Sequence, residues 1–243
     1  MMLPDLTFVE RYRRLHDRLG AADPDPGVIW AMPMVLQLPK LDSPTRTDVL
    51  EAAARSAVLL SLDPRAGGDG PWVVPMDTWC GVSIRKIARR ARSQSHWQAA
   101  QSVPGLTVRS GGASVRAIVP SPVTDVDKRI SRLQIEGTDL PNDSPEAVDD
   151  MPIRLWINPG LSMTVGKAAA QVGHGSMLAV QLLTEDQAQQ WFTAGCPLSV
   201  RTATAEQWKR LLNAESSGGS VVVRDAGFTE IKPGSISVVA ERG

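Results

Sequence analysis

Residues 161–180 read LSMTVGKAAAQVGHGSMLAV, a helix-length stretch in which nearly half the residues are glycine, alanine or serine. On a helical period its stripe of Val165, Ala169, Val172, Ser176 and Val180 is small enough for the axis to press closely on a sheet. A helix of this kind cannot be stable by itself and belongs to a layered fold. The segments around it agree. Strand patterns at 153–157, 197–202, 221–224 and 235–240 alternate with helical ones at 164–183, 185–194 and 205–214. DAG at Asp225 and Pro233-Gly234 supply tight turns. Such alternation implies an α/β architecture.

The first half is less regular. Leu3, Leu6, Val9, Tyr12, Leu15 and Leu19 mark an amphipathic helix that docks on the body. A strand over 28–38 and an alanine-rich helix over 47–62 follow, the helix carrying Asp48 and Glu51 in its first turn. Trp72 to Trp79 reads as a further strand or a crossing of the core. Residues 82–102 read as a strongly basic helix, with Arg85, Arg89 and Arg92 on one stripe and Lys86 and Arg90 beside it. Acidic residues are absent from Gly81 to Gln101. A solvated surface and a patch that contacts RNA phosphates both fit that stripe, with His96 and Trp97 adding stacking in the second case. A short strand at 115–119 and a helix at 125–133 complete this half.

LPNDSPEAVDD, from Leu140 to Asp150, has the composition of a linker and divides the chain into 1–145 and 151–243. The halves resemble one another. RTDVLEAAARSAVLLSL can be laid on MTVGKAAAQVGHGSMLAV, and VRAIVPSPVTDVDKRISRL on CPLSVRTATAEQWKRLL. This suggests a tandem duplication in which Glu51, Arg55 and Val58 stand where the second copy has Lys167, Gln171 and His174.

Those three residues are spaced i, i+4 and i+7, which puts them on one stripe of the helix. They can be an ordinary polar surface or the polar wall of a site. Lys167 lies in the first turn, where backbone N–H groups and the helix dipole favour an anion and a cation is disfavoured without a purpose.

LSMTVGKAAAQVGHGSMLAV, together with VRDAGFTEIKPGSISVVA near the C-terminus, resembles the two signature segments of the second, archaeal and eukaryotic type of peptidyl-tRNA hydrolase. The resemblance covers about ninety residues, from Met151 to Gly243. It implies a three-layer α/β/α sandwich around a mixed four-stranded sheet, and hydrolysis of the ester joining a nascent peptide to tRNA. It implies a role in catalysis for Lys167, Gln171, His174, Asp225 and Thr229. The chain departs from the family pattern at Phe228, where a basic residue is frequent, at Glu230, often Gln, and at Thr164, usually Gly.

Chemistry allows Lys167 and the helix N-terminus to stabilise an oxyanion. Asp225 would orient Lys167 or accept a proton from water, with Gln171 and Thr229 positioning the water or the terminal adenosine. The nucleophile itself stays open. The first half then holds tRNA through Arg85, Lys86, Arg89, Arg90 and Arg92, or takes the place of a partner subunit, since such enzymes are commonly dimeric. Both a monomeric pseudo-dimer and a homodimer fit.

The remaining signals exclude rather than assign. Residues 160–167 are one residue too long for a phosphate loop and place Ala168 where a magnesium ligand is needed. His16, His96 and His174 are too dispersed for a metal site. Cys80 and Cys196 form no C-x-x-C pair and read as buried apolar residues. No cofactor or metal is expected. Twenty-six basic against 26 acidic residues rule out binding RNA by bulk charge. No apolar run is long enough to span a bilayer, which points to the cytoplasm. The alternative to an enzyme is a non-catalytic RNA-binding or regulatory protein that keeps the hydrolase fold.

Overall fold

In the computed structural model the described residues are 6–19, 27–135, 139–146, 150–225 and 230–243. The elements of the first half are α1 (Leu6–Arg18), β1 (Trp30–Gln37), α2 (Arg46–Leu62), α3 (Val73–Cys80), β2 (Lys86–Ala91), α4 (Gln94–Gln101), β3 (Gly105–Ser110), β4 (Ala113–Ile118), the two-residue β5 (Ser121–Pro122) and α5 (Lys128–Ser131). Those of the second are β6 (Ile153–Ile157), α6 (Val165–Leu178), α7 (Glu185–Thr193), β7 (Leu198–Thr202), α8 (Ala205–Glu215), β8 (Ser220–Arg224) and β9 (Ile236–Arg242).

The two sheets share one connectivity. Sheet order is β2-β1-β4-β3 in the first, with β5 added beside β1, and β7-β6-β9-β8 in the second. In each, the first strand pairs parallel with one neighbour and antiparallel with the other, and a hairpin closes the far edge. A strand, a long helix, a short helix, a parallel strand, a third helix and a hairpin thus occur twice in the same order, as a tandem duplication requires.

The caps set the register between the copies. Thr45 accepts from Asp48 N and opens α2; Thr164 accepts from Lys167 N and opens α6. Asp48, Ala52 and Arg55 therefore stand at the positions of Lys167, Gln171 and His174. The alignment on Glu51, Arg55 and Val58 is three residues out of step, because alanine-rich helices overlay equally well one turn apart. The second sequence match is also displaced: β4 and α5 correspond to neither β7 nor α8, whose counterparts are β2 and α4.

The basic helix expected over 82–102 is not formed. Lys86 to Ala91 run as strand β2, paired with Met32 to Gln37, and Ser93 then caps α4 by accepting from His96 N. A strand sends successive side chains to opposite faces, so the five cations do not share one stripe. Trp72 to Trp79 lies mostly in α3 rather than in a strand, with Pro75 in the first turn, where a missing N–H costs little. The hairpin β3–β4, unforeseen apart from its second strand, turns at Gly111 and Gly112, the first with φ of +49°.

The long helices lie between the sheets, side by side. Arg46 at the start of α2 donates to Met163 O at 2.6 Å, just before α6, while further along Ser176 Oγ donates to Ala54 O at 2.7 Å. A Cβ placed on Gly173 would lie 3.4 Å from Ala57 Cβ, and one on Gly175 only 2.9 Å from Val238 Cγ1. The small residues of α6 therefore serve two contacts, one with the sheet as expected and one with α2. A single apolar core runs from one sheet through both helices to the other. Smaller clusters lie on the outer faces, one holding Trp97 of α4 with Ile130 of α5, the other Leu211 of α8. Helix, sheet, helix pair, sheet and helix make five layers, two α/β/α sandwiches that share their middle.

Helix α1 fastens to both halves. Arg14 donates to Ala66 O at 2.8 Å, Tyr12 donates to Leu183 O at 2.9 Å, and the Phe8 and Phe192 rings are 5.8 Å apart. Cys80 and Cys196 are both buried thiols. No helix among the described residues is long and apolar enough to cross a membrane.

Because the core is continuous, enlarging one side of the helix pair is felt on the other. Ala57→Leu will cost about 1–3 kcal/mol through overpacking. Hydrogen exchange will quicken together in β1 and β6; faster exchange confined to β1 would show that the halves unfold independently.

Candidate active site

The site lies at the start of α6, where three carboxylates converge. Glu230 accepts from Thr164 N at 2.9 Å and from its hydroxyl at 2.7 Å. Asp139 accepts from Val165 N at 3.3 Å and is held in turn by Arg46 at 3.0 Å. The N–H groups of Thr164 and Val165, expected to help receive a substrate anion, are thus engaged by the protein's own carboxylates.

The third carboxylate belongs to Asp225, at the end of β8. Lys167 Nζ lies 2.5 Å from Asp225 Oδ2, and Gln171 Nε2 donates to the same oxygen at 2.8 Å. The ion pair is well shielded, with side chains 10% and 6% exposed. Shielding of that order makes a charged pair costly to form, so its value is positional more than stabilising. Gln171 Oε1 accepts from the Ser237 hydroxyl, which makes Gln171 a strut between the carboxylate and the sheet.

Ser237 was not foreseen. Val223 pairs with Val238 and Arg224 with Ile236, so the ladder skips Ser237. The bulge turns its hydroxyl toward α6 instead of the outer face that strict alternation would assign. Its only trace in the sequence is a serine inside an apolar strand.

Of the residues expected in the site, Lys167, Gln171 and Asp225 are brought together. Thr229 and Phe228 lie outside the described residues. His174 sits two turns along from Lys167 on the same helix. Burial first, then the charges of Lys86 and Lys167, holds its pKa well below the ordinary histidine value. The imidazole is therefore neutral at physiological pH.

Lys86, expected among the cations that contact tRNA, is instead buried against α6. It projects from β2 onto α6, so close that a Cβ on Gly173 would lie 3.0 Å from Lys86 Cδ. Its ammonium is 4.9 Å from the Trp79 ring centroid and 3.4 Å from Ile84 O. Burial pulls its pKa down to about 7. The other cations of the segment are placed differently. Arg89 donates to Ser131 O and Leu133 O, Arg90 bonds Gln134 and is 8% exposed, and Arg92 is exposed.

Residues 151–242 match the family model described as Peptidyl-tRNA hydrolase PTH2. The chain is 36% identical over 83 residues to the peptidyl-tRNA hydrolase of Haloquadratum walsbyi, covering 33% of this chain and 74% of that protein. To the peptidyl-tRNA hydrolase of Thermococcus onnurineus it is 33% identical over 92 residues, 35% of this chain and 78% of that protein. Lys167, Gln171, Asp225 and Ser237 all fall in the matched segment.

Lys86 yields a signed pH dependence. Its folded pKa of about 7 lies below the unfolded value, so between the two the unfolded chain binds more protons and stability rises with pH. Between pH 7 and 8.5 the wild type will gain stability relative to Lys86→Met, with a slope approaching about 1.4 kcal/mol per pH unit. Urea unfolding across that range measures it, and parallel curves would refute the shift.

Proposed function

The chain belongs to the second peptidyl-tRNA hydrolase family, and from that premise we propose that it cleaves the ester between peptide and tRNA through the Lys167–Asp225–Gln171–Ser237 chain. The carrying observation is the convergence of Lys167 and Gln171 on one oxygen of Asp225, inside the segment that matches the family. In this reading the Lys167 ammonium faces the ester carbonyl and stabilises the oxyanion formed when water adds. Asp225 holds the ammonium in place and takes the proton of the attacking water. The tetrahedral intermediate then collapses, expelling the ribose oxygen, which recovers a proton from the site.

Gln171 and Ser237 are positioning residues. They fix the carboxylate from behind, so that Lys167 is aimed without reorganisation during the reaction. Thr229 is assigned the task of hydrogen-bonding the water or the terminal adenosine. His174, two turns along from Lys167 on the same helix, is assigned a neutral polar place at the edge of this set.

The first half takes the place of a second subunit. Its α2 lacks the lysine, glutamine and histidine in either register, so one site per chain is active and the molecule is a monomeric pseudo-dimer. Phosphate contact is assigned to the cations of its basic segment that keep access to solvent, Arg85, Arg89 and Arg92, and not to buried Lys86. The cytoplasm, where tRNA is charged and used in translation, is the place of action.

Purified protein incubated with peptidyl-tRNA will release free tRNA, and Lys167→Ala will lower kcat by about 100- to 1,000-fold, the scale of losing an oxyanion partner. A wild type that binds peptidyl-tRNA without cleaving it would replace this reading with that of a non-catalytic RNA-binding protein.

A further inference from the structure

One guanidinium ties three parts of the chain together at the start of α6. Arg46 opens α2 and is 9% exposed. Its Nη2 donates to Met163 O at 2.6 Å, and its Nη1 donates to Asp139 Oδ1 at 3.0 Å. The same Asp139 oxygen accepts from Val165 N at 3.3 Å. The fork thus holds the residue before the cap Thr164 directly, and the residue after it through a carboxylate. Lys167 follows two residues later. The contact runs one way. With Thr45 and Thr164 in register as caps, the counterpart of Arg46 is Val165, whose side chain has no polar group to return it. The start of α2, where Asp48 stands in place of Lys167, is steadied instead by Asp143, which accepts from Thr47 N at 3.1 Å and from its hydroxyl at 3.0 Å.

We propose that Arg46 is a positioning residue for the reaction, supplied by the half that lacks the catalytic set: it fixes the first turn of α6 so that Lys167 keeps its aim at the ester. This rests on the reading that the substrate is peptidyl-tRNA. Taking a guanidinium out of water is costly, and an apolar side chain would join two packed helices at least as well. What the fork adds is direction, because its planar, rigid donors set where the Met163 carbonyl and the Asp139 carboxylate stand relative to each other. Direction is what the site needs, since a misplacement of about 1 Å at a reacting group costs up to about 100-fold in rate. Arg46 acts through α6 and not on the substrate, so its loss falls on the chemical step and spares ground-state binding. The fork also lines a cleft of about 370 Å³ whose residues Asn142, Ser162 and Thr202 are exposed, so a small cation can reach its place from solvent.

The test compares the full-length wild type with Arg46→Ala, Arg46→Lys and Asp143→Ala, the last loosening the start of α2 while leaving the fork in place. On peptidyl-tRNA, Arg46→Ala will lose about 10- to 100-fold in kcat with KM within about twofold of the wild type, and Asp143→Ala will keep the wild-type kcat. Guanidinium, added well below the concentration that unfolds the chain, will restore part of the kcat of Arg46→Ala, and sodium at the same ionic strength will restore none. Should Arg46→Ala fail to fold, Arg46→Lys carries the comparison: it keeps the charge without the fork and will lose kcat at unchanged KM. Wild-type kcat in the Arg46 variants, a loss confined to KM, or a loss in Arg46→Ala that guanidinium does not relieve overturns the proposal. Wild-type protein inactive on peptidyl-tRNA refutes the proposed activity instead. Amide exchange at Val165 then decides the brace: it will quicken in the Arg46 variants with β9 unchanged, and exchange equal to the wild type overturns it.

Discussion

The contact between α2 and α6 is the constraint on which the rest of the molecule depends. Two helices can share the space between two sheets only if their axes come unusually near, and that requires side chains no larger than those of Ala54, Ala57, Gly173 and Ser176 where they touch. Everything else is arranged around this pair. Each sheet lays its inner face on the helix pair, and the starts of the helices come to the same end, where Arg46 of one secures the carbonyl before the other. The start of α6 is thereby braced from outside its own half, and Lys167 stands one turn beyond the brace.

Much of the second half was legible because its signals are local and agree with one another. A period of 3.6 in α7 and α8, apolar strand patterns and the turn at Pro233-Gly234 each point to the observed element. The first half was harder to read for an equally physical reason. Ile84 to Ala91 has an apolar and basic pattern compatible with either a helix or a strand, and what decides is the row of backbone groups offered by Met32 to Gln37, a tertiary fact. Where a local cue existed, as with Ser93 capping α4 or Gly111-Gly112 closing a hairpin, it lay next to the misread segment.

The site divides along the same line. Lys167 and Gln171 are spaced along one helix and could be paired from the sequence, and Asp225 came with the second signature segment. Ser237 could not be found by alternation, because a bulge inverts its direction. Nor could Asp139, Arg46 and Lys86, whose roles at α6 exist only once the two halves are packed. The carboxylates of Glu230 and Asp139, which engage the N–H groups of Thr164 and Val165 from distant parts of the chain, were out of reach of a local reading for the same reason.

Lys86 lies in β2, whose counterpart in the second half is β7. In a symmetric dimer a mutation is made twice, and whatever residue pressed on the catalytic helix would press with equal force on its twin. Joining the two copies in one chain removes that obligation. A lysine can be buried against one helix while the other copy's strand, LSVRT, carries none, and each copy is free to specialise: one toward chemistry, the other toward shaping the electric environment in which that chemistry occurs.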